Sequence, residues 1–415
     1  MVTPKFLSQT PKTSEAESAY AWARLFASVA VGTVGSVGLW SYVVALPAVQ
    51  ADFSVARADA SMPYTFTMAG FGVGAVLLGK VVDRFSLLTA VVFGALLIGM
   101  GYTAAGLAPS LWLFAAASVV IGFGSSVSFA PLMADISHWF TRRRGIAVTL
   151  VACGNYISGT IWPPVIAYSI ETNGWRSTHV ALGAICLVTM LPLCLALRRR
   201  VAAHAENKGD VAAKSAEASL GISRRALMML ICIAGVSCCV AMSMPQVHIV
   251  AYCGDLGYGA ARGAEMLSMM LGFGIVSRAA SGFIADRIGA VSTLLLGSGL
   301  QGVALFLYIM FDGLTSLYII SALFGLFQGG IVPMYAIMVR QYFPAREAGT
   351  RVGLAIFSTI VGMALGGWLS GWIFDLTGSY HAAFLNGLAW NLLNVSIAAW
   401  LLFRTKTRNP RLVPA

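Results

Sequence analysis

The sequence predicts an all-α membrane protein, with twelve transmembrane helices in two pseudo-symmetric six-helix bundles. Three observations lead there: a composition suited to lipid, twelve apolar runs of spanning length, and a motif pattern that repeats at one offset across a polar linker.

Of the 415 residues, 58% are hydrophobic and 10% charged, against about 25% charged in a soluble domain. Such a chain has too little polar surface for water. A helix crosses the hydrocarbon with roughly 20 apolar residues. Runs of that kind begin near Trp22, Met62, Leu87, Ser110, Gly145, Thr178, Ala226, Gly263, Ala290, Thr315, Thr350 and Tyr380. Short polar or Gly/Pro-containing turns separate them.

Residues 1–20 are polar with no short apolar core, so they read as a cytoplasmic tail and no cleavable leader is expected. Residues 21–197 form the first bundle. Residues 198–225 are Ala-rich and charged, lack apolar periodicity, and read as a cytoplasmic linker. Residues 226–403 form the second bundle, and 404–415 a cytoplasmic tail.

The net charge is +11. With the N-terminus placed inside and the sides alternated, the outside loops carry only Arg57, Arg176 and Arg262. Arg278 falls within a span, and every other Lys and Arg lies in an inside segment. This bias puts both termini in the cytoplasm of a multi-pass inner-membrane protein. No soluble domain is left to bind nucleic acid. The seven cysteines fall in or beside spans, and Cys238–Cys239 are adjacent, so neither a disulfide framework nor a metal site is expected. No cofactor is expected. The chain lacks a GxxxxGK[ST] loop, which argues against an ATP-driven pump. Without a mid-depth His/Asp/Glu cluster it does not read as an enzyme.

The halves align at an offset of 203. GKVVDRF begins at Gly79 and GFIADRI at Gly282, so Asp83 and Arg84 match Asp286 and Arg287. The same offset pairs Trp139-Phe140 with Tyr342-Phe343 and Gly122 with Gly325. Parallel six-helix halves facing a central cavity are a transporter architecture. In each Gly-x-x-x-Asp-Arg turn, the glycine lets helices approach closely. The aspartate can bond a neighbouring helix N-terminus and pair with arginine as the halves rock. Gly79, Asp83, Arg84, Gly282, Asp286 and Arg287 are therefore candidate gating residues. Asp135, near the inside end of span four, joins them as a partner of the Arg142–Arg144 cluster or of Arg84. Gly362, Gly366 and Ser370 recur at four-residue spacing and read as helix packing.

Arg278 is the only charged residue between Glu265 and Asp286. Eight residues separate it from Asp286, about 12 Å of helix, and thirteen from Glu265, about 20 Å. The matching place in the first half is Ala75, so the arginine breaks the internal symmetry. An arginine at mid-span costs roughly 2.5–3.5 kcal/mol on insertion, and no acid lies within two turns on its helix. A carboxylate 4 Å away at an effective dielectric near 20 would attract it by about 4 kcal/mol before desolvation. A planar fork of N–H donors suits that partner.

Softer candidates for the same site are Tyr42, Asn155, Tyr156, His248, Tyr252, Gln328 and Tyr335. Each is polar within an apolar run, and such residues face the bundle interior. His248 titrates near neutral pH in its ordinary state and is the candidate proton carrier.

The paired turns, the six-plus-six topology and the basic mid-loop resemble the major facilitator superfamily over residues 20–403. Within it, HWFTRRRGIA (138–147), NGWRSTHVA (173–181), SRAASGFIADRIG (277–289) and DLTGSYHAAF (375–384) resemble the monocarboxylate transporters and the bacterial oxalate–formate exchangers. The resemblance implies alternating access, with the arginine on span eight, here Arg278, as the ligand of the substrate carboxylate. Two departures bear on cargo and coupling. The exchangers carry a lysine on span eleven, where this chain has Ser358 and Thr359. The animal carriers have an aspartate four residues before the arginine, where this chain has Gly274, and a lysine on span one that is lacking near Leu46–Ala48.

The expected function is therefore secondary active transport of a small organic monocarboxylate, with proton symport. The alternatives are facilitated movement without coupling, exchange of organic anions, including dicarboxylates or aromatic acids, and multidrug or siderophore export. A small carboxylate, protons and the lipid bilayer are the expected partners of a monomer.

Overall fold

A computed structural model describes residues 17–140, 143–199 and 222–408. The expected linker therefore lies mostly outside the described residues, as do most of the N-terminal tail and the end of the C-terminal one. Twelve helices are long and apolar enough to cross a membrane. We number them α1 (Ala19–Gly35, continuing as Ser41–Phe53), α2 (Arg57–Arg84), α3 (Leu87–Gly106), α4 (Leu111–Ser125, continuing as Ala130–Trp139), α5 (Arg144–Ala152, continuing as Gly154–Asn173) and α6 (Trp175–Cys194) in the first half. The second half holds α7 (Arg224–Asp255), α8 (Ala260–Ile288), α9 (Ala290–Met310), α10 (Leu314–Gln328, continuing as Ile331–Tyr342), α11 (Ala345–Thr377) and α12 (Tyr380–Arg408).

Several helix starts are written in the sequence. The hydroxyls of Ser18, Ser86, Ser110 and Ser223 accept the N–H three residues on, at the heads of α1, α3, α4 and α7. This meets donors that no helical carbonyl can reach. Helices α2 and α11 begin five residues before their apolar runs because their first turns, Arg57–Ala60 and Ala345–Ala348, are short polar extensions. The internal repeat extends to the helix boundaries: α2 and α8, α3 and α9, and α4 and α10 each start 203 residues apart.

Two seams join the halves, α2 against α11 and α5 against α8. Within the second half, α7 lies against α11 because Gly362 and Gly366 offer no Cβ where the backbone of Val236 and Val240 passes.

Helices α1, α4, α5 and α10 are interrupted within their spans. Short 3₁₀ turns, Ser36–Leu39 and Ser126–Ser128, mark the first two breaks. Cys153 marks the third and Gly329–Gly330 the fourth. Backbone freed inside a membrane is tolerated where protein or a water-lined cavity covers it. Such breaks commonly surround a transporter's substrate site.

Candidate functional site

Arg278 is 9% exposed and lies eighteen residues from the start of α8 and ten from its end, about 27 and 15 Å along the axis. Its Nε donates to the carbonyl of Gly329, at the break in α10, at 3.3 Å. Its Nη1 donates to the carbonyl of Ala152, at the break in α5 across the seam, at 2.9 Å. The guanidinium carbon sits 4.2 Å from the centre of the Tyr156 ring, a cation–π contact that desolvation strengthens. No acidic side chain bonds Arg278 among the described residues.

Gly274 is a consequence of this packing. A Cβ at that position would run into the Tyr156 ring. The place where the resembling carriers hold an aspartate is thus filled by an aromatic ring from the other half.

Of the softer candidates, only Tyr156 is brought to Arg278. Asn155 turns to α1, where its side-chain and backbone oxygens accept the Trp40 indole N–H at 3.1 and 3.2 Å. Tyr42 packs against Phe114, and its buried hydroxyl has no partner among the described residues. Gln328 is fully buried, and neither of its amide atoms has a partner among the described residues. The Tyr335 hydroxyl, with one hydrogen to give, lies 3.0 Å from the Ala234 carbonyl and 2.9 Å from the Asn394 amide oxygen, both inside the second half. Tyr252 packs on Tyr380 and Phe384.

His248 belongs to a second centre, at the end of the bundle away from the termini. Arg57, the first residue of α2, donates through Nη1 and Nη2 to the two oxygens of Asp255 on α7 at 3.0 and 3.1 Å. Its Nη1 also donates to the Tyr380 hydroxyl of α12 at 2.7 Å. The Asp375 carboxylate of α11 accepts the Arg57 and Ala58 N–H groups at 2.9 and 2.7 Å. A residue of the second half thereby caps a helix of the first. His248 Nε2 lies 2.7 Å from the Gly367 carbonyl and Nδ1 2.9 Å from the Tyr380 hydroxyl. A carbonyl accepts only, so Nε2 carries hydrogen. Arginine donates only, so the Tyr380 oxygen accepts from Arg57 and its own hydrogen points to Nδ1. One polarity satisfies the whole chain, and in it the imidazole is neutral.

Three expectations need correcting. Asp135, expected to partner the Arg142–Arg144 cluster or Arg84, is held by another arginine; Arg142 and the side chain of Arg144 lie outside the described residues. Asp135 takes a fork from Arg24 of α1, Nε to Oδ2 and Nη2 to Oδ1, both at 2.8 Å. Arg24 is 1% exposed and stacks on Trp139; by sequence position alone it counts with the inside segments. Arg57, counted as an outside-loop residue, is only 7% exposed. The close approach expected at Gly79 and Gly282 is also missing, since nothing lies within 4 Å of a Cβ built on either. Arg84, Asp286 and Arg287 are exposed. The side chain of Asp83 lies outside the described residues. The reason is the arrangement of the halves. Among the described residues, the hydrogen bonds between them run from the Arg57 centre, through Thr65 to the Ala364 carbonyl, as far as Arg278 to Ala152.

Sequence reasoning missed Arg57, Asp255, Asp375 and Tyr380, and the two carbonyls that hold Arg278. One signal was available for the latter: Gly329-Gly330 followed by Pro333, a helix interruption inside an apolar run. Among the described residues, no group of three His, Cys, Asp or Glu is placed to hold a metal.

Comparison with known proteins agrees with this architecture. The family model described as Major Facilitator Superfamily matches residues 28–321 and 266–415. Monocarboxylate transporter 13 of Bos taurus is 27% identical over 363 residues, covering 85% of this chain and 82% of that protein. Monocarboxylate transporter 13 of Rattus norvegicus is 29% identical over 335 residues, covering 79% and 75%. Monocarboxylate transporter 11 of Mus musculus is 25% identical over 387 residues, covering 91% and 86%. A bacterial homolog of the human lysosomal transporter Spinster, solved inward-facing and occupied, shares the fold with a TM-score of 0.73 at 13% identity, covering 96% of this chain and all of that one. The chain belongs to the major facilitator superfamily, and its fold is that of a multi-pass membrane transporter.

Proposed function

We propose that this transporter carries a small organic monocarboxylate by alternating access, with Arg278 as the anion-binding group. One observation carries the reading. Arg278 is a mid-depth guanidinium bonded to backbone carbonyls and to no acidic side chain among the described residues. Carbonyl dipoles offset part of the cost of its burial but leave the charge unneutralised. A carboxylate supplies what they do not. The similarity to monocarboxylate transporters favours the same cargo class.

The concentration of Lys and Arg at the end bearing the termini supports a cytoplasmic side for that end. In this orientation the Arg57–Asp255–Tyr380 centre is an outer latch. Proton symport fits the charges, since one anion and one proton moving together transfer no net charge. His248 is the titratable group in place for the proton.

The test is Arg278→Ala in proteoliposomes. It should insert and purify like wild type and lose carboxylate uptake. Unchanged uptake would remove Arg278 from the binding role. An inward proton gradient should drive net uptake by the wild type; counterflow indifferent to that gradient would indicate anion exchange.

A further inference from the structure

The α5–α8 seam that buries Arg278 also has a side turned away from the core. There a groove of about 450 Å³ runs between Thr160 and Pro164 of α5 and Met269, Gly272 and Phe273 of α8, with Glu265 at its head. Its walls are almost wholly apolar. The Thr160 hydroxyl is turned to the Tyr156 carbonyl, at 2.7 Å. Gly272 keeps one wall low, since a Cβ there would meet only Thr160, in ordinary contact at 3.5 Å. Ile161, Val165, Phe273 and Val276, on the same side of the seam, are all about half exposed. In a chain that crosses a membrane, such a surface faces lipid.

The head of the groove is charged. Arg262, Glu265, Met269, Gly272 and Val276 follow one another along α8 at spacings of three and four residues, so they share a face. Arg262 Nη1 donates to Glu265 Oε2 at 3.1 Å and reaches Oε1 at 3.4 Å. The Tyr318 hydroxyl of α10 also donates to Oε2. Both charged side chains are about half exposed. A carboxylate offers about four acceptor sites, so Glu265 keeps capacity, chiefly at Oε1. Tyr168, one turn beyond Pro164 on α5, is exposed, and tyrosines gather where membrane meets water. The charge pair therefore stands at headgroup level. The apolar part runs from it toward mid-depth, eleven residues to Val276, about 16 Å.

The groove alone selects no lipid, because an acyl chain entering it exchanges one apolar neighbourhood for another. Selectivity comes from the charges. An anionic headgroup would meet Arg262 but be repelled by Glu265. A zwitterionic one lays its phosphate against Arg262 and its amine against Glu265. A primary ammonium brings three N–H donors to that carboxylate, and a trimethylammonium brings none.

We propose that this groove is a binding site for phosphatidylethanolamine, with the phosphate at Arg262, the ammonium at Glu265 and one acyl chain between α5 and α8. The lipid touches both halves and adds a contact across their seam. The inference stands apart from the cargo reading, since it uses the face of α8 that turns away from Arg278.

The test is lipid retention. Purified transporter is equilibrated in detergent micelles holding equal amounts of phosphatidylethanolamine and phosphatidylcholine, and the lipids it keeps are counted by native mass spectrometry. Wild type should keep phosphatidylethanolamine in preference on the order of three- to tenfold, the worth of one charge-assisted hydrogen bond partly screened by water. In Glu265→Gln, whose amide oxygen still accepts from Tyr318, the two lipids should be kept about equally. In Gly272→Leu, where the new side chain fills the groove, the preferred lipid should be lost. Added phosphatidylethanolamine should raise the melting temperature of wild type more than phosphatidylcholine does, and should lose that advantage in both variants. Equal retention by wild type overturns the proposal, as does a preference that survives Glu265→Gln or Gly272→Leu. Retention of phosphatidylglycerol above phosphatidylethanolamine overturns it too, since the site would then read negative charge alone.

Discussion

Arg57 and Arg278 are both buried arginines at the junction of the two halves, and their surroundings are opposites. Arg57 meets the carboxylate of Asp255, the Tyr380 hydroxyl and the Phe374 ring, 4.6 Å from its guanidinium carbon. Its charge is matched on site. Arg278 meets two carbonyls and an aromatic ring. A neutralised arginine holds protein to protein, and an unneutralised one in the same membrane is held ready for something else. On the proposed reading the pair separates a latch from a binding group, and the contrast rests on packing alone.

The comparison breaks most sharply at the latch. Arg57→Ala removes the bonds to Asp255 and Tyr380 that tie α2 to α7 and α12. Hydrogen bonds involving a charged group are each worth about 1.5–3 kcal/mol, so even one lost bond shifts the population of the closed form by tenfold or more. Cys253, two residues from Asp255 and fully buried, reports the change. In protein whose other cysteines are serine, an impermeant maleimide added from outside should label Cys253 at least tenfold faster in Arg57→Ala. Equal labelling rates would mean that Arg57 does not hold this end closed.

A smaller effect tests the other side of the contrast. In Gly274→Ala the new methyl group meets the Tyr156 ring, which must then leave the guanidinium. Overpacking of this kind costs typically 1–3 kcal/mol. Uptake should fall severalfold to about a hundredfold, with the melting temperature lowered by a few degrees. Shrinking the ring in Gly274→Ala/Tyr156→Leu should recover the melting temperature but not the uptake, because the cation–π support is lost. Recovery of both would make Tyr156 a spacer.

These sites also show what the sequence made legible. Twelve spans and the 203-residue repeat follow from run length and motif spacing, both local quantities. Arg278 stood out because twenty residues around it carry no other charge. Arg24 and Arg57 did not, because each lies near the end of an apolar run, where a charge is ordinary. Only packing reveals that they are buried. Their partners, Asp135 and Asp255, are 111 and 198 residues away, beyond any spacing rule. The softer candidates scattered for a related reason. A tyrosine or asparagine inside a span must find a partner, but the sequence does not say whether that partner is cargo or another helix. Asn155 found Trp40, Tyr335 found Asn394, and only Tyr156 found the arginine.

The smallest expected effect concerns two tyrosines that the sequence could not rank. Tyr42 and Tyr380 are 3% and 2% exposed. The Tyr380 hydroxyl accepts from Arg57 and donates to His248, whereas the Tyr42 hydroxyl has no partner. Removing a hydroxyl that serves two bonds leaves Arg57 and His248 each short of one. Removing one that serves none relieves a buried polar group of its desolvation cost. Tyr380→Phe should therefore destabilise the protein by about 1–3 kcal/mol, and Tyr42→Phe should leave stability within about 0.5 kcal/mol or raise it slightly. Thermal melting of the two purified variants gives the stability comparison. Uptake by Tyr42→Phe adds the functional test: if stability is unchanged but uptake falls severalfold, that unpartnered hydroxyl has been reserved for the cargo, and the binding site extends from Arg278 into the first half.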